Sequence, residues 1–135
     1  MATQVFINLP VKDLNRSKAF FAGLGYQFNP QFSDENAAAM VISDNITAML
    51  LVESYFQTFT QKPVSDATKT TEVLIALDAA SREEVQETIA KAKELGATIY
   101  SEPQDHGWMY QHAFADPDGH QWEIAYMDIS QFPQE

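Results

Sequence analysis

One order of elements, a strand, a helix and three more strands, can be read twice along these 135 residues, and such a repeat restricts the fold more than any single motif does. In residues 3–11, Val5, Ile7 and Leu9 alternate with Gln4, Phe6 and Asn8, the period of a strand, and Phe6 is the one bulky apolar residue on the second face. Asp13 is suited to cap the helix that follows, whose stripe of Leu14, Ser17, Ala19, Phe20, Phe21 and Leu24 stops at Gly23 and Gly25. Runs at 26–32, 37–43 and 46–53 then read as strands, divided by Ser33-Asp34-Glu35-Asn36 and Asp44-Asn45. The pattern restarts at Thr70. Residues 72–79 read as a strand, Ser81 with Glu84 makes a capping box, and Val85, Ile89, Ala92 and Leu95 supply a buried stripe up to Gly96. Strands at 97–102, 109–115 and 121–127 complete the second copy.

The sequence therefore predicts an α+β fold of two βαβββ modules, 1–54 and 70–128, with a linker at 55–69 and a C-terminal tail at 129–135. The linker carries Tyr55, Phe56 and Phe59 ahead of Pro63, which resists a continued helix, so one helical turn is expected there. Laying the copies on each other places Phe6 on Glu72, an offset of 72 − 6 = 66, and Met49 on Glu123, an offset of 123 − 49 = 74. The eight extra residues fall most naturally around Pro103-Gln104-Asp105-His106-Gly107, a loop suited to line a site.

Asp116-Pro117-Asp118-Gly119 is strong turn chemistry, since Pro117 fixes its own φ and Gly119 takes φ > 0 without a Cβ clash. Beyond it Trp122, Ile124 and Tyr126 alternate with Glu123, Ala125 and Met127, so an acid stands among small or soft apolar neighbours on one face. That acid is the first candidate site residue.

Nineteen acids against eight bases give a formal charge of −11, which repels phosphate backbones and anionic membranes and argues against nucleic acid as a partner. With no cysteine, thiolate chemistry and disulfides are excluded. No run approaches the ~20 apolar residues of a membrane span, and the opening residues lack a signal-peptide pattern, so a soluble cytoplasmic protein is expected.

Two βαβββ modules carrying Asn8-Leu9-Pro10-Val11-Lys12-Asp13-Leu14-Asn15-Arg16-Ser17 with Phe20 and Phe21, and Asp116-Pro117-Asp118-Gly119-His120 leading into Trp122-Glu123, resemble the vicinal oxygen chelate superfamily of glyoxalases, extradiol dioxygenases and bleomycin-resistance proteins. The resemblance implies sheets curled into a cup that binds a small molecule, a homodimer, and in metal-dependent members a divalent ion held by His and Glu on inward strand positions. Carried onto this chain, those positions are Phe6, Met49, Glu72 and Glu123, of which Glu123 alone matches its expected type. Phe6 cannot ligate, and a thioether is a poor ligand for hard ions, so a divalent metal is implied with an incomplete ligand set. Glu123 and Glu72 are then the candidate metal ligands, and as two carboxylates in an apolar cup they are also candidate catalytic bases.

Phe6, Met49, His106, Trp108, Tyr110 and His112 are the candidate ligand-binding residues: His112 and Tyr110 if their strand turns them into the cup, His106 and Trp108 if the inserted loop covers its mouth. His120 is better suited to brace the hairpin. Two functions stay open at this stage. One is a glyoxalase- or dioxygenase-like enzyme, a lyase if the former; the other is a metal-free protein that binds or sequesters a small molecule.

Overall fold

The computed structural model describes residues 1–131; residues 132–135 of the expected tail lie outside the described residues. The chain divides into two units, Met1–Asp66 and Ala67–Glu135. In the first, β1 (Val5–Val11) leads into α1 (Leu14–Gly23), then β2 (Gln27–Asn29), β3 (Ala37–Ser43) and β4 (Ile46–Val52), and closes with the four-residue helix α2 (Glu53–Phe56) and a 3₁₀ turn, Gln57–Phe59. In the second, β5 (Leu74–Asp78) leads into α3 (Arg82–Glu94), then β6 (Gln104–Asp105), β7 (Met109–Ala115) and β8 (Gln121–Met127), with a 3₁₀ turn at Ile129–Gln131. Each unit holds one four-stranded mixed sheet, ordered β1-β4-β3-β2 and β5-β8-β7-β6, with the first strand parallel to the last and the rest antiparallel. The fold is α+β, two βαβββ modules, as the repeat predicts.

The helices form where the caps predict. The Asp13 side chain accepts from the Arg16 N–H at 3.1 Å. Ser81 Oγ accepts from the Glu84 N–H at 3.0 Å while Glu84 Oε2 accepts from the Ala80 N–H at 2.7 Å, a reciprocal cap. Each helix lays its apolar stripe on one sheet face: Leu14, Ser17, Phe20 and Phe21 in the first unit, Val85, Ile89 and Ala92 in the second, with Ala19 left exposed. Beneath them Met40, Ala48 and Leu50, and in the other unit Phe114, Trp122 and Ile124, are buried. Burying a large apolar side chain of this kind contributes about 1.5–3 kcal/mol. One sheet face per unit is thus committed to the helix-covered core; on the other, Ala37, Ala39 and Leu51, and in the second unit Ala113 and Ala125, are also buried, while Met49 and Glu123 are half-buried.

The second copy departs from the expected strand pattern in two places. The strand predicted at 97–102 is reduced to one bridge, Thr98 to Ala115, and pairing resumes only at β6. Pro103 has no N–H to give to a ladder, which explains the break. The surplus length is also distributed differently. The N-caps Asp13 and Ser81 are 81 − 13 = 68 apart and the C-caps Leu24 and Leu95 are 95 − 24 = 71 apart, so three of the extra residues lie in the longer helix. Three more separate that helix from β7, since Ala39 and Ala113 are 74 apart, so the surplus is six residues rather than eight.

The Asp-Pro-Asp-Gly turn is built around a buried carboxylate. Asp116 Oδ1 accepts from the Asp118 N–H at 2.9 Å and the His120 N–H at 3.0 Å, and Oδ2 accepts from Trp122 Nε1 at 3.1 Å. Burial pushes the Asp116 carboxyl above its ordinary range, opposed by the charge of His120 and by these N–H donors. Gly119 sits at φ +91°. A Cβ there would lie 2.7 Å from the Ala67 carbonyl group and from the Thr68 nitrogen, so only glycine lets the crossing segment lie against the turn. Among the described residues no helix is long and apolar enough to cross a membrane.

Candidate functional site

Strand register decides which side chains share the open faces, because directly paired residues project to the same side. In the first sheet Met49 lies opposite Asn8 on β1 and Ala39 on β3. In the second, Glu123 lies opposite Ala76 on β5 and Ala113 on β7. Met49 and Glu123 therefore occupy the same node of two like sheets. The register counterpart of Phe6, which pairs with Thr47, is Leu74, which pairs with Gln121. Glu72 stands two residues before that node, exposed and ahead of β5. Laying residues 6–13 on 72–79, an offset of 66, sets it on Phe6; the helix caps and the hydrogen-bonded register both give 68.

Met49, with Leu51 and Ala37, floors a hollow of about 420 Å³ walled by Phe32, Tyr55 and Phe59, with Asn8 at its margin. Tyr55 and Phe59 meet edge to face, ring centroids 5.1 Å apart. Phe32 and Phe59 are 60% and 67% exposed, and large rings left in water are what an apolar ligand would cover. The polar groups beside them are partly spent on loop geometry: Asp34 Oδ1 accepts from the Asn36 and Ala37 N–H groups, and Ser33 Oγ donates to the Asn29 carbonyl.

Glu123 opens on a smaller hollow of about 180 Å³, bordered by Tyr100, Glu102, Gln104, Gln111 and Ala113. Gln111 Nε2 donates to Gln104 Oε1, its neighbour on β6, at 3.2 Å. Burial first, and the nearby Glu123 charge second, push the Tyr100 phenol above its ordinary range. Among the described residues no lysine or arginine borders this hollow; its lining offers the Glu102 and Glu123 carboxylates together with neutral polar groups.

Of the remaining candidates, His112 reaches the Glu123 hollow from its edge and the others are placed elsewhere. Tyr110 and His112 pair with Tyr126 and Ile124, which puts them on the α3 face, opposite Glu123; the residues that share Glu123's face are Gln111 and Ala113. The Tyr110 ring lies under the Arg82 guanidinium, 5.2 Å from centroid to carbon. His112 also borders the Glu123 hollow, with Nε2 2.8 Å from the Ser101 carbonyl; a carbonyl only accepts, so Nε2 carries the proton and Nδ1 is the ring's other nitrogen for a partner. His106 and Trp108 belong to the short β6–β7 turn. The His106 N–H donates to the Met109 carbonyl, and the Trp108 carbonyl accepts from the Asp128 N–H at 2.6 Å. His106 is exposed and Trp108 half-buried.

A glyoxalase-type metal centre does not fit these residues. Its nodes here are Phe6, Met49, Leu74 and Glu123, one carboxylate among three side chains with no hard donor. Among the described residues no three His, Cys, Asp or Glu side chains converge to hold an ion. Gln104 belongs to the 103–107 loop expected to line a site, and it does border the Glu123 hollow; Tyr100 and Gln111 escaped the sequence reading. Gln111 was within reach of it: the turn at Asp116–His120 sets Ala115 opposite Gln121, and stepping by two gives Ala113 and then Gln111, which pairs across to Gln104.

Residues 3–124 match the model of the Glyoxalase/Bleomycin resistance protein/Dioxygenase superfamily, and the chain belongs to that superfamily. No curated protein matches it. Among solved structures it is similar to the hypothetical protein SA1046 from S. aureus, at 29% identity over 93% of this chain and 94% of that one, with a TM-score of 0.80. A glyoxalase-related enzyme from Fulvimarina pelagi shares the fold at 20% identity, covering 93% and 88%, TM-score 0.77. So does a bleomycin resistance determinant encoded on transposon Tn5, at 20% identity, covering 93% and 98%, TM-score 0.64.

Proposed function

We propose that the chain is a metal-independent small-molecule binding protein of its superfamily, of the sequestering kind, acting as a cytoplasmic homodimer. The observation that carries this reading is the pair of equivalent nodes, Met49 in an aromatic-walled hollow and Glu123 in an acid-lined one. Those linings suit ligands with a flat apolar body or a positive group. Apolar surface removed from water contributes roughly 25 cal/mol per Å², and a chain of charge −11 attracts cations and repels anions. The Tn5-encoded neighbour is called a bleomycin resistance determinant, a description compatible with this reading. Exposed Val5 and Phe6 on edge strand β1, and Val73 and Leu74 at the start of β5, supply apolar surface for a second copy to cover.

The enzyme reading, a lyase or dioxygenase, needs two substrate oxygens chelated by a metal, and the donor set above supplies one carboxylate. With Glu72 off the strand, a two-carboxylate catalytic pair loses one of its members, and Glu123 is left as the candidate base. The test is calorimetry in excess EDTA with a flat aromatic ammonium compound, its neutral isostere and an anionic analogue. The expected results are saturable binding of the cation, weakened about tenfold by Glu123→Gln, and separate binding of the neutral isostere, weakened at least as much by Phe59→Ala. Binding that EDTA abolishes, or no binding of any of the three, would overturn the proposal.

A further inference from the structure

The edge strand β6 has two residues, and they project to opposite sides. Gln104 pairs with Gln111 and lies on the open face with Glu123, while Asp105 pairs with Tyr110 and lies on the α3 face. Two paired residues at a sheet edge make a weak attachment by themselves. The stronger attachment is on the α3 side. Arg82, the first residue of α3, donates from Nη1 to Asp105 Oδ2 at 2.8 Å and from Nη2 to Asp105 Oδ1 at 3.0 Å. Nη2 also donates to the Gly107 carbonyl at 3.0 Å, and the guanidinium rests on the Tyr110 ring.

Upstream, the chain leaves the sheet after the Thr98–Ala115 bridge and returns at Gln104. In between, the His112 ring holds the Ser101 carbonyl. This stretch, 99–104, is one wall of the Glu123 hollow, contributing Tyr100, Glu102 and Gln104. It is a strap fixed at one end by the Thr98 bridge and at the other by the Arg82 fork.

We propose that Arg82 is a remote positioning residue for the Glu123 hollow: by clamping Asp105 from the α3 face, it holds the strap in place on the other face and so sets access to Glu123. A planar fork is required, because two parallel N–H bonds fix both the distance and the tilt of the carboxylate, whereas a lysine ammonium fixes only a distance. The importance of this role rests on the proposed reading of the hollow as a ligand surface, but its test needs no ligand.

Two rates are measured on the intact chain: amide exchange across 99–108, and modification of Glu123 by a carbodiimide with a small amine, with exposed Glu72 as internal control. Arg82→Ala is expected to raise exchange at His106 and Gly107, and modification of Glu123, each about tenfold, as a local opening would, with β7 and β8 amides and Glu72 unchanged. Arg82→Lys should fall between, and Arg82→Asp with Asp105→Arg should move both rates back toward wild type. Should Arg82→Ala unfold the module, β7 and β8 amides would exchange faster too; Asp105→Asn, which keeps the side-chain shape, then decides and is expected to show the same local opening. A loosened turn with Glu123 modified at the wild-type rate, or no change in either rate, would overturn the inference. Rates that change as expected in a protein that binds no cation would leave the clamp standing and remove the proposed function.

Discussion

The two modules are the same sheet wired alike, and they differ where chemistry would be done. On equivalent nodes, the first carries Met49 beside exposed aromatic rings and the second carries Glu123 beside Tyr100 and two glutamines. The connections differ as well. The first sheet turns from β3 to β4 through Asp44-Asn45, while the second turns through Asp116-Pro117-Asp118-Gly119, with a carboxylate at its centre. Duplicated topology fixes where a side chain projects and leaves open what it does; the superfamily fold here is kept by both copies, and an oxygen donor at the node by one.

The largest contrast is expected at the turns. Asp116→Ala strands three N–H donors in a buried turn and should cost about 3–4 kcal/mol, whereas Asp44→Ala on the exposed first turn should stay within about 0.5 kcal/mol. Denaturant midpoints of the two variants measure the difference, and equal midpoints would break the comparison. The glycines come next. Gly119→Ala meets backbone at 2.7 Å as well as a positive φ and should cost about 2–3 kcal/mol; Gly25→Ala, at φ +103° in open space, should cost about 1 kcal/mol.

Titration gives the smallest effects, and two carboxylates of the second module pull in opposite directions. The Arg82 fork and the Gly107 N–H hold Asp105 down at about 2. A folded value below the unfolded one means that its contribution is present above the ordinary carboxylate range and is lost as the pH falls through about 2. Protection of the amides at 104–108, taken relative to their intrinsic exchange rates, should therefore fall between pH 4 and 2, and Asp105→Asn should remove that fall. Asp116 has the reverse sign. Its folded value lies above the unfolded one, so its contribution is full in acid and declines as the pH rises through the raised value. Stability-against-pH curves for Asp116→Asn should lack that decline.

Much of the fold was legible because alternation and caps are local signals. The strands expected at 37–43, 109–115 and 121–127 are β3, β7 and β8 to the residue, and Asp13 and Ser81 cap as expected. The candidate site was legible in Glu123 and Met49 and less so around them. Tyr110 is an aromatic group near the acid in sequence, but a side chain's face is set by pairing across the hairpin, and one residue of register moves it to the other side; His112 shares that other face yet still reaches the border of the Glu123 hollow. Glu72 was matched to Phe6 by counting, while the sheet matches Leu74 to it. Tyr100 gave no signal of its own, since it reaches Glu123 through an irregular strap that Pro103 keeps out of the ladder.

The central claim is a superfamily fold whose open faces bind ligand without the metal centre. Metal bound per chain, after equilibration with nickel, zinc, manganese or ferrous iron and removal of the excess, tests it most directly in the wild type and in Glu123→Gln. Far less than about one ion per chain is expected in both proteins, with no difference between them. One ion per wild-type chain that is lost in Glu123→Gln would contradict it.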